Sequence, residues 1–169
     1  RVFKRVLEKV NARLIMVGEG PERMSAVGVA KQLGIQDKIE YLGNYGDIES
    51  ILPCADLIFQ PSEHESFGLV PLEAMACGVP VLGTASGGIT EVVEHGVSGY
   101  LCEVGDIETM AECAINVLSN DALAKQMGEK GRQRAFGVFS RDKIVGQYED
   151  LYREILEKKS KSPAWSDVT

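Results

Sequence analysis

The chain has 169 residues, of which 44% are hydrophobic and 25% charged, and its formal net charge is -7. That length can bury a sizeable core and defaults to one domain, while the acidic balance argues against non-specific binding to nucleic acid or to an anionic membrane. No apolar run approaches the roughly 20 residues of a membrane span.

No secretory leader is legible at the start. The chain opens on Arg1, without a methionine and in mid-pattern, which predicts a fragment or an excised domain. Cysteines at 54, 77, 102 and 113 lack CxxC spacing and nearby histidines, which argues against zinc. Cys54 and Cys77 fall at apolar helix ends and are predicted to be small buried hydrophobes in a reducing cytoplasm.

In chain order, Arg1 to Val10 has apolar residues at helical spacing. Ala12 to Val17 is a short apolar run ending at Gly18, predicted as a buried strand. Pro21 opens a second helix that Gly34 stops. Lys38 to Leu42 alternates as a strand, Asp47 to Cys54 is a short helix, and Asp56 to Gln60 is the next strand. A helix over Leu69 to Cys77 ends at Gly78, with Pro80 just beyond. Val79 to Gly83 is a strand, Ile89 to His95 a helix stopped by Gly96, and Gly99 to Glu103 the last strand. Asp106 caps a helix reaching Leu118, Asp121 to Ala135 is another, and a final helix runs from Ser140 to about Lys158. Residues 1–158 are predicted as one domain and 159–169 as a frayed polar tail. Five strands alternating with helices predict an α/β fold, a mostly parallel Rossmann-like sheet with helices on both faces. Ligands of such sheets bind beyond the carboxyl ends of the strands, where Gly18, Asn44, residues 61–68 and residues 83–88 all fall.

The chain is organised around Pro61 to Pro80, PSEHESFGLVPLEAMACGVP, in which Glu65 and Glu73 have seven residues between them. The first turn of a helix leaves backbone N–H groups unpaired at the positive end of the dipole. The amides of Phe67, Gly68, Leu69 and Val70 therefore form a candidate anion cradle suited to phosphate, with Gly68 allowing close approach. At about 1.5 Å of rise per residue the two carboxylates stand roughly 8–12 Å apart. That exceeds the about 5–5.5 Å of a retaining glycosidase pair and suits two ends of one long ligand across a central phosphate.

These residues resemble the E-x7-E signature of the retaining family-4 glycosyltransferases, which have the GT-B fold. The likeness runs through Glu65, Ser66-Phe67-Gly68, Leu72-Glu73-Ala74, Cys77-Gly78, Pro80-Val81, Gly87-Gly88 and Glu91. Val17-Gly18-Glu19-Gly20-Pro21-Glu22, the Leu42-Gly43-Asn44 turn and Gly96-x-x-Gly99-Tyr100-Leu101 extend it over roughly residues 12 to 158. Within the family the ESFGL run, the LGN turn and the ending from Arg141 to Tyr152 resemble the bacillithiol-pathway branch. The resemblance then implies transfer of N-acetylglucosamine from UDP-N-acetylglucosamine to L-malate; the alternatives are transfer of glucose or mannose to a lipid or polysaccharide, and a non-catalytic nucleotide-binding module. It implies the C-terminal, donor-binding half of a GT-B enzyme. The N-terminal acceptor domain and a first strand with a basic loop would lie outside this chain, leaving it inactive in isolation. It implies that Glu73 accepts hydrogen bonds from the ribose and that Glu65, as the catalytic residue, contacts the donor hexose. Ser66, Phe67, Gly68, Leu69 and Val70 would hold sugar hydroxyls and phosphate oxygens, with Gly18 facing the diphosphate and Asn44 the nucleobase. No D-x-D motif occurs, in agreement with a metal-free, cofactor-free reaction in which helix N-termini and basic groups stabilise the departing diphosphate.

Simpler readings stand beside these. Gly18-Glu19-Gly20-Pro21 is also a tight strand-to-helix turn, and Gly87-Gly88 is either a second anion-binding turn or a point of close packing. Asn44 tolerates turn geometry without any ligand. His64 is read as a packing or hydrogen-bonding residue. His95 is expected in the last turn of a helix, where a cation suits the dipole. The stripe Ile144, Val145, Tyr148, Leu151, Tyr152 and Ile155 predicts core packing, part of it as a surface toward the enzyme's own N-terminal domain. The oligomeric state, a homo-oligomer included, is left open.

Overall fold

The structure is a computed structural model and describes residues 1–161. Strands β1 (Leu14–Val17), β2 (Ile39–Gly43), β3 (Ile58–Gln60), β4 (Val81–Thr84) and β5 (Gly99–Cys102) alternate with helices. The helices are α1 (Val2–Leu7), α2 (Arg23–Gln32), α3 (Ile48–Ile51), α4 (Leu69–Ala76), α5 (Ile89–Val92), α6 (Ile107–Leu118), α7 (Asp121–Val138) and α8 (Arg141–Lys161). Every strand pairing is parallel, so the α/β class expected from the alternation holds. The strands form two sheets, β1-β2 and β3-β4-β5. The chain divides into two compact units, residues 1–135 and the segment from Phe136 onward.

The core sits on β4. Val81 and Leu82 are fully buried, and all four residues of the strand are closed off from solvent. Leu82 packs with Val6 of α1, Met110 and Ala114 of α6, and Cys102 of β5. Side chains alternate across a strand, so Val81 and Gly83 face the other side, where a Cβ on Gly83 would lie 2.5 Å from Ile89 Cδ1 of α5. Helix α4 buries Pro71, Ala74 and Met75, the i, i+3, i+4 stripe of a short helix. Its end is closed by Gly78 N–H donating to Met75 O at 2.9 Å and Val79 N–H to Ala74 O at 2.9 Å, the paired bonds of a Schellman cap. Helix α6 is capped as its sequence predicts: Thr109 N–H donates to Asp106 Oδ1 at 3.0 Å.

Several expectations are corrected. β1 is not a buried strand: Ile15, Met16 and Val17 are exposed, because β1 pairs with β2 alone. β1 and β3 both border an open cavity of about 800 Å³, lined also by Val2, Phe3 and Val6 of α1 and Leu118 of α6. Helix α2 begins at Arg23, not at Pro21; Arg23 N–H bonds to Gly20 O at 3.1 Å and closes a turn ahead of it. Helix α5 ends at Val92, whose successor Val93 is extended, so His95 is not in a last helical turn. Instead its Nδ1 accepts a hydrogen bond from Leu101 N–H at 3.1 Å and its ring meets Tyr100 edge-on at 5.7 Å. Cys54 and Cys77 are exposed. Cys77 is the C-cap residue, just past the last helical residue Ala76, where α4 has stopped burying its stripe. On α8, Val145, Tyr148, Leu151, Tyr152 and Ile155 are exposed rather than packed in a core; an amphipathic stripe specifies an apolar partner surface without saying which. Residues 162–169 of the expected tail lie outside the described residues.

Candidate functional site

The loops that follow the strands at their carboxyl ends are tied together in pairs. After β1 and β2, Gly18 N–H donates to Gly43 O at 2.8 Å. Glu19 lies against Gly43, where a Cβ would come 2.7 Å from Glu19 Oε1, and Glu19 is held in turn by an ion pair with Arg23. Gly18, Asn44 and Tyr45 are exposed at this edge. This is a tight strand-to-helix turn whose exposed backbone leaves room for a ligand, since among the described residues, chain neighbours aside, no atom lies within 4 Å of a Cβ built on Gly18 or Gly20.

After β3 and β4 the ties are more numerous. The hydroxyl of Thr84, a residue buried to 3% exposure, donates to Ser62 O. Ser86 Oγ donates to Glu63 O at 2.6 Å, and Gly88 N–H to Glu65 O at 2.8 Å. Gly87 and Gly88 press directly on the backbone of Glu65, Ser66 and Phe67; a Cβ on Gly88 would lie 2.5 Å from Phe67 Cα and would collide with Ser66 O. Close packing of this glycine pair is therefore present, and the Gly88 amide is already engaged. Thr84 and Ser86 are supports that the motif reading passed over. A buried threonine at a strand's end and a serine one turn on were the only signals.

Glu65 is half-buried and its carboxylate is bound on both oxygens. Oε1 accepts from the backbone N–H groups of Gly68 at 3.1 Å and Phe67 at 3.4 Å; Oε2 accepts from Gln60 Nε2 at 3.2 Å. The carboxylate thus occupies two of the four amides expected to form an anion cradle. The remaining two, on Leu69 and Val70, have no partner among the described residues, as the first turn of a helix requires. Pro71 follows them at the third helical position, where a missing N–H costs nothing. Gly68 itself has φ 97, and a Cβ there would lie 3.3 Å from Ile89 Cα. Its identity is thereby explained by left-handed backbone and helix packing before any ligand is considered.

Glu73 projects from the second turn of α4, is exposed, and has no side-chain partner among the described residues. Ser66, Phe67, Leu69 and Val70 are exposed beside it, and so is His64. The structure therefore places one pinned carboxylate, two free amides and one free carboxylate along the start of a single helix. Gly18 and Asn44 stand on the loops after the neighbouring sheet. Among the described residues no group of three or more His, Cys, Asp or Glu could hold a metal ion, and no helix is long and apolar enough to cross a membrane.

Comparison with known proteins gives this arrangement a context. The chain is 45% identical over 156 residues to an N-acetyl-alpha-D-glucosaminyl L-malate synthase of Bacillus anthracis, covering 92% of this chain and 41% of that protein. Among solved structures, HepE of Anabaena in complex with UDP superposes with a TM-score of 0.82 at 25% identity, over 90% of this chain and 44% of that one. A structure of S. aureus TarM, crystallised with UDP among its ligands, superposes with a TM-score of 0.84 at 25% identity, over 89% and 31%. The chain thus spans less than half the length of the proteins it matches. Residues 1–134, which hold both loop pairs and the whole of α4, match the family described as glycosyl transferases group 1, and the chain belongs to that family.

Proposed function

We propose that this chain is the donor-binding half of a retaining, metal-independent GT-B hexosyltransferase, and that its donor is a UDP-sugar. The observation that carries the reading is the start of α4: Glu65 pinned on the Phe67 and Gly68 amides, free N–H groups on Leu69 and Val70, and an unpaired Glu73 one turn on. A nucleotide sugar matches this sequence of groups. Ribose hydroxyls donate to Glu73, phosphate oxygens accept from the Leu69 and Val70 amides at the positive end of the helix, and hexose hydroxyls reach Glu65. As UDP departs, negative charge grows on the diphosphate, and the amides and dipole of α4 offset it without reorganising.

For the specific donor and acceptor we propose N-acetylglucosamine transfer from UDP-N-acetylglucosamine to L-malate, in the cytoplasm and within bacillithiol biosynthesis. The support is the 45% identity to the Bacillus anthracis malate synthase and the UDP carried by two structural neighbours.

The strand order also supports a half-enzyme. Read across the cavity, it runs β2-β1, then β3-β4-β5. This is the doubly wound order 3-2-1-4-5-6 with no described strand at its first position. A further parallel strand leading into α1 would join the two sheets and complete the crevice at the topological switch point. In this reading the acceptor is held by the enzyme's own N-terminal domain, and the chain alone does not catalyse transfer.

The test is calorimetric titration of the intact protein that carries this chain with UDP, UDP-N-acetylglucosamine, and GDP- and ADP-sugars. The expected result is selective UDP binding that weakens by roughly tenfold in Glu73→Ala, the loss of hydrogen bonds to a charged acceptor. Binding of no nucleotide sugar, or binding indifferent to Glu73, would refute the transferase reading and leave a module of another ligand class.

A further inference from the structure

Glu65 is gripped from two directions, and only one grip belongs to its own loop. The Phe67 and Gly68 amides hold Oε1, a single oxygen about which a carboxylate is free to pivot. The second oxygen is held by Gln60 Nε2 at 3.2 Å. Gln60 is the last residue of β3, in register with Gly83 of the buried strand β4, so its backbone is fixed by the sheet. Its amide group also donates to Ser62 Oγ at 2.9 Å. A carboxylate only accepts, so the –NH2 end of Gln60 has to face Glu65.

We propose that Gln60 is a positioning residue that fixes the plane of the Glu65 carboxylate and thereby tunes how the site holds the sugar part of the donor. The inference rests on the reading of Glu65 as the group that meets the hexose. A glutamine suits the task better than the other long side chains. Lysine or arginine at this place would form an ion pair and compete with the sugar for the charge. Leucine would fill the same space and leave Oε2 free to turn. Gln60 instead donates one neutral hydrogen bond, leaving Glu65 charged and its remaining lone pairs available to hydroxyl groups. Because Gln60 touches neither the amides of Leu69 and Val70 nor Glu73, its effect should fall on the hexose and spare the nucleotide.

The test uses the intact protein that carries this chain, with UDP and UDP-N-acetylglucosamine as probes. Gln60→Leu is expected to lower the affinity for UDP-N-acetylglucosamine about fivefold, as for loss of one hydrogen bond to a partly exposed charge. Its affinity for UDP should stay within about twofold by the same reasoning. In a Glu65→Ala background Gln60→Leu should change neither affinity further, because the two residues act as one unit. Equal losses for both probes, or no loss for either while Glu65→Ala does discriminate, would overturn the proposal and leave Gln60 a structural residue. If Glu65→Ala itself leaves the difference between the two probes intact, the hexose role of Glu65 fails, and the proposal with it. A measurement without ligand closes the remaining gap. Amide exchange at Phe67 and Gly68 should quicken several-fold in Gln60→Leu, as a loosened local contact does, with Val81 and Leu82 unchanged. Unaltered exchange at those two amides would also overturn it.

Discussion

Glycine 88 offers the sharpest test of how the site is built, because the packing around it reverses the sign of an ordinary substitution. Its φ of -65 and ψ of -19 are open to any residue. Replacing such a glycine with alanine normally stabilises a protein by about 0.4–1 kcal/mol, by restricting the unfolded chain. At Gly88, however, the new Cβ would meet Phe67 Cα at 2.5 Å and Phe67 N at 2.9 Å, and would collide with Ser66 O. These are backbone atoms of the signature loop and cannot swing aside. Overpacking of that kind costs about 1–3 kcal/mol, so Gly88→Ala should be net destabilising by roughly 0.5–2.5 kcal/mol. The control is Gly28→Ala inside α2, where among the described residues nothing beyond the helix's own backbone lies within 4 Å of the added Cβ; there the same change should stabilise by about 0.5–1 kcal/mol. Urea unfolding of the two variants beside the parent decides the matter. With a slope of about 2 kcal/mol per M, the midpoint should fall by about 0.3–1.3 M for Gly88→Ala and rise for Gly28→Ala. A Gly88→Ala protein as stable as Gly28→Ala, or more so, would refute the claim that the turn after β4 buttresses residues 65–67.

Other expectations follow from the same contacts. The hydrogen bonds from Thr109, to which Asp106 Oδ1 is acceptor, hold the Asp106 carboxyl below its ordinary value of 3.8. A depressed folded-state value stabilises the protein above the unfolded-state pKa and loses that contribution as pH falls through the folded-state value. Asp106→Ala should therefore lower the urea midpoint at pH 7, and the difference from the parent should shrink in acid, below the ordinary value. A constant difference would remove the cap from the account. Burial pushes the Cys102 thiol up to about 12, with Cys113 beside it also raised, chiefly by burial. Cys54 and Cys77 are exposed. A thiol reagent at pH 8 should modify two of the four cysteines quickly in the folded protein and all four in denaturant. Fast reaction at Cys102 would contradict its place in the core.

The local features of the site were readable before any coordinates. An apolar run followed by a glycine-bearing turn and a helix stopped by Gly78 is punctuation that short-range sterics enforce, and α4 runs as that punctuation requires. Asp106 and its helix were equally legible, since a cap needs only a side-chain oxygen and an amide three residues on. The alternation of strands and helices sufficed for a parallel α/β fold, because parallel strands need crossovers and crossovers of this length are helices.

What sequence could not supply was anything that depends on which surfaces meet. Ala12 to Val17 reads as buried because its residues are apolar, yet burial requires neighbours on both sides, and β1 has one. Cys77 and the α8 stripe went the same way: composition states a preference for cover, and only tertiary contact provides or withholds it. Glu65 and Glu73 look alike as two acids around a helix start. The fold makes them different, pinning one between Gln60 and two amides and leaving the other free. Gln60 was invisible as a site residue because its partner lies across a turn whose path is set by Thr84, Ser86 and Gly88 on the next strand's loop. The sequence alone thus determined the order of strands and helices and most of their extents, consequences of short-range sterics and periodicity. The tertiary structure alone decided which groups in that site are held and which are available, because that depends on residues brought together from separate loops.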